Sequence, residues 1–234
     1  MNAPLTPEEL AALAALDTPT VCNAIELLDP ARRSFGFTER PLVCARPELP
    51  PMVGYAATAT IRARAPSALP AEELRARRLG HYRAVEAAPK PTIVVIQDLD
   101  PEPGFGAFWG EVNTAVHQGL GALGVVTDGS IRDLEQCAPG FQLLAGCVGP
   151  SHAHVHIEEF GIPVTVAGMR VAPGDLVHAD RHGAVVIPHA LARRIPEAAA
   201  LISRREAVIL SAARSPGFTV DALAAAMASR DEIH

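Results

Sequence analysis

Residues 104–134, GFGAFWGEVNTAVHQGLGALGVVTDGSIRDL, read as a glycine-rich loop, a helix and a short apolar strand ending in polar residues. Gly104, Gly106 and Gly110 let the loop bend sharply and approach a ligand closely. From Glu111 onward, Val112, Ala115, Val116 and Leu120 fall on one helical face, and Gly119 or Gly121 closes the helix. Residues 124–127 form a short buried strand, with Asp128-Gly129 as a turn signal at its end. Arg132 and Asp133 follow at once. Polar residues at the carboxyl end of a buried strand serve ligands in α/β proteins. Amides at a helix start favour a carboxylate or phosphate, because their N–H groups lack partners and the helix dipole attracts an anion. Arg132 can clamp a carboxylate through two parallel hydrogen bonds. Asp133 and Glu111 bring the hard oxygens that magnesium or manganese prefers. These parts describe a site for a small anion on a divalent metal. A capping ion pair beside an ordinary turn uses the same residue types.

Upstream, residues 92–97, TIVVIQ, are a continuous apolar run, hence a strand covered on both faces, and Asp98 and Asp100 follow it where the loop begins. In residues 54–65, Thr58, Thr60, Arg62 and Arg64 alternate with Ala or Ile, which suits a strand. Residues 70–87 read as a helix flanked by prolines, and residues 30–53 as irregular. Thr6-Pro7-Glu8-Glu9 is a helix start with a cap, proline first and acids in the first turn. Thr18-Pro19 repeats that grammar, with Val21, Ile25 and Leu28 as the apolar stripe and Asp29-Pro30 as the stop.

Downstream, residues 141–148 read as one strand, 163–166 and 169–171 as a hairpin, and 175–179 and 184–187 as another turning at Arg181-His182-Gly183. Two helices, about 189–214 and 218–229, complete the chain, with Pro196 as a kink or break. Short strands among helices argue for an α/β fold, a β/β/α sandwich rather than a regular doubly wound sheet. The expectation is one domain over 1–234, with N-terminal helices in 1–30 and C-terminal helices in 189–234.

Composition narrows the function. The chain is long enough to bury a full core without disulfides. Its net charge is −6 with no basic cluster, and aromatic residues are only 4%, so nucleic acid is not expected as a partner. Cys22, Cys44, Cys137 and Cys147 are widely spaced with no Cys-x-x-Cys, which fits reduced cytosolic thiols. No apolar run is long enough to span a bilayer, and the polar N-terminus is no signal peptide, so the expected location is cytoplasmic.

His152, His154 and His156 would share one side of an extended strand, as zinc ligands or as interface or substrate-lining residues. His178 and His182 flank Asp180 and read as surface turn residues. Glu206, beside Arg204 and Arg205, reads as part of a solvated helix face. The G-x-G at 104–106 lacks the rest of a dinucleotide fingerprint, and no G-x-S-x-G elbow or Cys-His pair is present. Lys90 is the single lysine and lies between two prolines, which argues against an imine-forming mechanism and for a metal-dependent one.

With Glu111, twenty intervening residues, then Arg132-Asp133 inside Asp-Gly-x-x-Arg-Asp, the chain resembles the RraA-like family. The resemblance continues in LDTPTVCNAI (16–25), GIPVTVAG (161–168), VAPGDL (171–176) and ADRHGAVVIP (179–188), so it spans nearly the whole chain. That family includes class II pyruvate aldolases acting on 4-hydroxy-4-methyl-2-oxoglutarate and 4-carboxy-4-hydroxy-2-oxoadipate. It also includes a protein inhibitor of ribonuclease E.

The resemblance implies a swivelling-domain-like β/β/α sandwich and a magnesium or manganese cofactor. It implies Asp133 as metal ligand, Glu111 as ligand or as the base orienting a metal-held water, and Arg132 beside the developing oxyanion. Amides of Ala107, Phe108, Trp109 and Gly110 would hold the carboxylate of a small 2-oxo acid, and oxaloacetate decarboxylation would be a second activity. It further implies a homotrimer or homohexamer, in which Glu206 is the best match for a glutamate reaching a neighbouring subunit's site. The inhibitor branch is expected to lack the Asp after the Arg, whereas Asp133 is present here, so catalysis is the expectation. A different metal-dependent lyase or hydrolase on the same scaffold is the remaining alternative. The departures are Glu111, where the aldolases more often carry Asp, and the histidine run, which fits no aldolase motif.

Overall fold

The computed structural model describes residues 4–233. In chain order its elements are α1 (Pro7–Ala14), α2 (Thr18–Leu28), β1 (Val43–Cys44), β2 (Met52–Arg62), α3 (Ala71–Ala87), β3 (Thr92–Asp98), β4 (Ala107–Trp109), α4 (Glu111–Gly119), β5 (Ala122–Thr127), β6 (Ser130–Ile131), β7 (Gln142–Ala145), β8 (Cys147–Val148), β9 (His156–Phe160), β10 (Val164–Val166), β11 (Met169–Val171), β12 (Leu176–Asp180), β13 (Gly183–Ile187), α5 (Ile195–Ala213) and α6 (Val220–Asp231).

The main sheet runs β1-β7-β5-β3-β2-β12-β13, with β9 beside the outer half of β2. Its centre, β7-β5-β3-β2, is parallel, and its edges are antiparallel. Because strand side chains alternate between faces, β3 feeds two cores. Val94 and Ile96 pack with Phe108, Trp109, Ile131 and Phe141 on one face. Ile93 and Val95 pack with Val164, Val166, Met169 and Val171 of the β10–β11 hairpin on the other. Each such side chain contributes about 2 kcal/mol by leaving water. A third core joins Leu13, Val21 and Ile25 of the N-terminal helices and Ile195 of α5 to Tyr55, Leu176 and Ile187. The architecture is the expected mixed α/β sandwich.

A second, parallel sheet, β4-β6-β8, repeats the neighbour order of the strands that precede each member, β3-β5-β7. The chain bends at Asp128-Gly129 between β5 and β6, and at Gly146 between β7 and β8. The single strand expected over 141–148 is therefore two, in different sheets. Gly146 N donates to Gly129 O (3.0 Å), and a Cβ on Gly146 would overlap the Asp128 carbonyl oxygen. The connection from β3 to β4 is pinned by buried carboxylates. Asp98 accepts from Gly104 N (2.8 Å) and Asp100 N (3.0 Å), while Asp98 N donates to Asp128 Oδ1 (2.8 Å). Burial pushes both the Asp98 and Asp128 carboxyls up, against the pull of these amide donors.

Other expectations change with the packing. Strand β2 alternates in residue type but is buried on both faces up to Ile61. Its threonines are satisfied inside: Thr58 Oγ1 donates to Ile162 O (2.6 Å), and Thr60 Oγ1 accepts from Glu159 N (3.1 Å). The cap of α2 is Asp17, which accepts from Thr20 N (2.9 Å), and not Thr18. Thr18 is buried with His178 and Asp180, which are therefore core groups and not surface turn residues. Asp180 Oδ2 accepts from Thr18 N (2.9 Å), and Thr18 Oγ1 meets His178 Nδ1 at 3.0 Å. His178 Nε2 donates to Leu13 O and Leu16 O. Pro196 opens α5 and makes no kink.

Candidate active site

A cleft of about 820 Å³ opens at the carboxyl ends of β4, β6 and β8. Ala107, Phe108, Gly110, Glu111, Arg132 and Asp133 all line it, so residues from the two ends of the 107–133 stretch meet in one cleft. Trp109 does not line it. Its indole is wholly buried against Phe141, His117 and Phe108.

The short strands set the geometry. Arg132 N donates to Trp109 O (3.0 Å), which places Arg132 and Asp133 beside the start of α4. Asp133 takes a left-handed conformation (φ 54), and its carbonyl accepts from Gln136 N and Cys137 N at 3.0 and 2.9 Å. Its Oδ2 lies 3.4 Å from Glu111 N, the first amide of α4, and 3.4 Å from Arg132 Nε. Among the described residues, Asp133 Oδ1 and the Glu111 carboxylate carry no hydrogen bond or ion pair. Two hard-oxygen donors with free oxygens thus line one cleft. That set suits magnesium, which takes one or two carboxylates and keeps waters elsewhere.

The exposed face of α4 differs from the expectation. Thr114 and His117 are buried, while Val112, 72% exposed, and Ala115 face outward. Polar side chains occupy the inner face because each finds partners there. Thr114 Oγ1 donates within the first turn and accepts from Ala138 N (2.9 Å). Asn113 O can only accept, so His117 Nδ1 donates to it (2.6 Å) and leaves Nε2 as an acceptor. His81 Nε2 therefore donates to His117 Nε2 (3.0 Å). Burial holds both imidazoles neutral, His81 pushed down to about 3 and His117 to about 4. Tyr82 OH donates to Asn113 Oδ1 (2.8 Å), and Asn113 Nδ2 donates to Phe108 O. This chain of bonds ties α3 to α4 and β4 behind the cleft.

The histidine run is not an extended strand. Ala153 takes φ 46, so the chain turns before β9 and the two-residue alternation of an extended strand is broken. All three still line the cleft. His156 is engaged at both ring nitrogens, by His154 O (2.7 Å) and Glu158 Oε1 (3.0 Å). Among the described residues, no group of three or more His, Cys, Asp or Glu is placed to hold a metal.

Glu206 is exposed on α5 and does not line the cleft of its own chain. Lys90 lies at the opposite end of β3, its Nζ donating to Val85 O (2.7 Å) and Thr92 Oγ1 (3.2 Å). Burial raises all four thiols, Cys22 to about 11, which leaves no activated cysteine among them.

The family model described as RraA-like, Aldolase/RraA, matches residues 13–186. The chain belongs to the RraA-like family. Every cleft residue named above falls inside the matched span, and Glu206 falls outside it. Comparison with curated proteins gives no match. Solved structures of similar fold include an uncharacterized protein from Pseudomonas syringae pv. tomato (TM-score 0.71, 22% identity, 98% of this chain and 97% of that one). Another is described as novel cellulases from microbes associated with the gut ecosystem (0.71, 20%, 88% and 89%). A third is Streptomyces coelicolor RraAS2, described as an unusual member of the RNase ES inhibitor RraA family (0.67, 22%, 88% and 97%). At these identities the likeness shows the RraA-like fold. Among the described residues, no single helix is long and apolar enough to cross a membrane.

Sequence reading missed Arg75, Arg78, Tyr82 and Asn113, all of which line the cleft. A signal was present. Residues 75, 78 and 82 recur at helical spacing on a helix with almost no apolar stripe.

Proposed function

We propose that the chain is a magnesium- or manganese-dependent carbon–carbon lyase that releases pyruvate from a 4-hydroxy-2-oxo acid, with oxaloacetate decarboxylation as a second activity. The observation that carries this reading is Asp133, held in a left-handed turn between the Glu111 amide and the Arg132 guanidinium, with a second free carboxylate on Glu111. Asp133 and Glu111 would hold the metal, which would supply Lewis-acid polarisation of the substrate's keto group.

The chain's own groups do the rest. Amides of the 107–110 segment and the first turn of α4 bind the 2-oxo acid's carboxylate. Arg132 lies where negative charge grows as the C3–C4 bond breaks, and its fixed charge lowers that barrier. Glu111 takes the proton that the C4 hydroxyl loses as the C3–C4 bond breaks and returns it to C3 of the pyruvate half, while the C4 fragment leaves as a carbonyl compound. Without a lysine near the cleft, imine chemistry has no nucleophile. Exposed Glu206 acts only if a second copy presents it, as a trimer or hexamer would allow.

A second reading, inhibition of ribonuclease E, is favoured by the likeness to RraAS2. A different metal-dependent lyase or hydrolase on this scaffold is a third. To test the first, metal-stripped protein is mixed with oxaloacetate and with 4-hydroxy-4-methyl-2-oxoglutarate, and pyruvate is followed with and without magnesium or manganese. Metal-dependent pyruvate that falls at least about 100-fold in Asp133→Ala is expected, given the size of single electrostatic terms. No pyruvate from either compound, with metal bound, sinks the aldolase reading.

A further inference from the structure

Helix α3 turns one face to the cleft, presenting Leu74, Arg75, Arg78 and Tyr82 at spacings of three to four residues, where side chains stack along a helix. Its arginines are not treated alike. Arg77, pointing elsewhere, is matched by Glu73 (3.2 Å), by the Glu158 carboxylate (3.8 Å) and by Glu158 O (2.6 Å). Arg75 and Arg78 have no ion pair or hydrogen bond among the described residues. Ser67 and His154 lie on the same cleft lining, and among the described residues the carboxylates there are Glu111 and Asp133. Two unmatched guanidiniums in a concave wall, in a chain of net charge −6, concentrate positive potential where an anion would dock.

Their distance from the reacting end can be read along the helix. Tyr82 OH bonds Asn113, two residues beyond Glu111. At 1.5 Å per residue, Arg78 lies about 6 Å and Arg75 about 10 Å further along α3. The long side chains of Arg78 and Arg75 can reach back across that span toward the leaving half of the substrate. We propose that Arg75 and Arg78 are specificity-determining residues, forming a second anion subsite that binds a carboxylate or phosphate on the leaving half of the substrate. The assignment rests on the 2-oxo acid reading of the same cleft. It gives the substrate two opposed anchors, Arg132 with the loop amides at one end and α3 at the other. A planar guanidinium pair suits a carboxylate or phosphate better than an uncharged tail.

The test uses 2-oxoglutarate and 2-oxopentanoate, which share five carbons and differ in the terminal carboxylate. Affinities are measured calorimetrically on the full chain with magnesium. The wild type is expected to bind the dianion at least about tenfold tighter, in line with one or two charge-assisted bonds. The Arg75→Gln/Arg78→Gln double variant is expected to lose that preference to within about threefold. Arg75→Lys/Arg78→Lys is expected to keep part of it, since it retains charge without the fork. Both positions are exposed, so the fold tolerates the changes. An unchanged preference in the Gln variant, or no preference in the wild type, overturns the subsite and leaves the 2-oxo acid reading standing. Binding of neither keto acid, with either metal present, overturns that reading and the subsite with it.

Discussion

A methyl group on residue 110 would lie 2.5 Å from Asp133 Oδ2 and 3.2 Å from the Arg132 side chain. Gly110 itself is extended (φ −168), a conformation open to any residue, so space and not backbone freedom demands glycine here. Gly110→Ala should displace the Asp133 carboxylate from its place over the Glu111 amide. The expected outcome is at least a tenfold loss of metal-dependent pyruvate release with a melting temperature within a few degrees of the wild type, because position 110 lines the cleft and is not in the main cores. Asp133 poses the reverse problem. Its left-handed backbone costs a β-carbon residue about 1 kcal/mol, least for Asp and Asn. Asp133→Asn is therefore the cleaner variant: metal affinity measured by titration should fall while stability holds, whereas Asp133→Ala adds backbone strain. The glycines and the Arg-Asp pair were legible in the sequence as residue types. The reason for Gly110 was not, because it depends on a carboxylate that the fold brings back from twenty-three residues away.

At the level of elements, the legible parts were those in which chemistry and hydrophobicity agree. Strand β3 is apolar from Ile93 to Ile96 and is covered on both faces, and the β10–β11 and β12–β13 hairpins announced themselves through their turn residues. Helix α4 misled because its inner face is polar: Thr114 and His117 go inside, and Val112 goes out. Periodicity counts apolar residues and is blind to a polar one that finds a partner. The same blindness hid His178 and Asp180, which fasten α2 to β12. The Tyr82–Asn113–Phe108 bonds join α3, α4 and β4, so they can be cut from either side. Tyr82→Phe removes one donor and should cost about 1 kcal/mol in urea denaturation. Asn113→Ala strands the Phe108 carbonyl and the Tyr82 hydroxyl and should cost on the order of 2 kcal/mol.

For the whole molecule, the α/β sandwich and the helical ends were readable, while the second sheet was not, since its strands are two or three residues long and carry no periodicity. Stability against acid is a property of the entire chain and has a clear sign. His81 and His117 have folded-state values near 3 and 4, below the ordinary 6.5 of the unfolded chain. As pH falls below about 6.5, the unfolded state takes up protons that the folded pair excludes, so stability declines. Buried His178, also lowered by burial, adds to that loss. Asp180 is pushed up by burial but held down by the Thr18 and His182 amides, with a net lowering, so it adds a loss at still lower pH. Asp98 and Asp128, raised by burial, act in the opposite sense and favour the folded state as they take up protons. Urea midpoints should fall between pH 7.5 and 5.5, by on the order of 2 kcal/mol from the His81–His117 pair. A flat profile there would show that the folded pair takes up protons as readily as the unfolded chain does. The duplicated strand order has a consequence of its own. Strands β6 and β8 are the folded-over ends of core strands β5 and β7, and the amides of Arg132 and Gly149 are bonded to Trp109 O and Ile131 O across that smaller sheet. The cleft floor should therefore have no private opening mode, and those two amides should exchange with deuterium in step with the buried amides of β3 and β5 instead of with the loops around them.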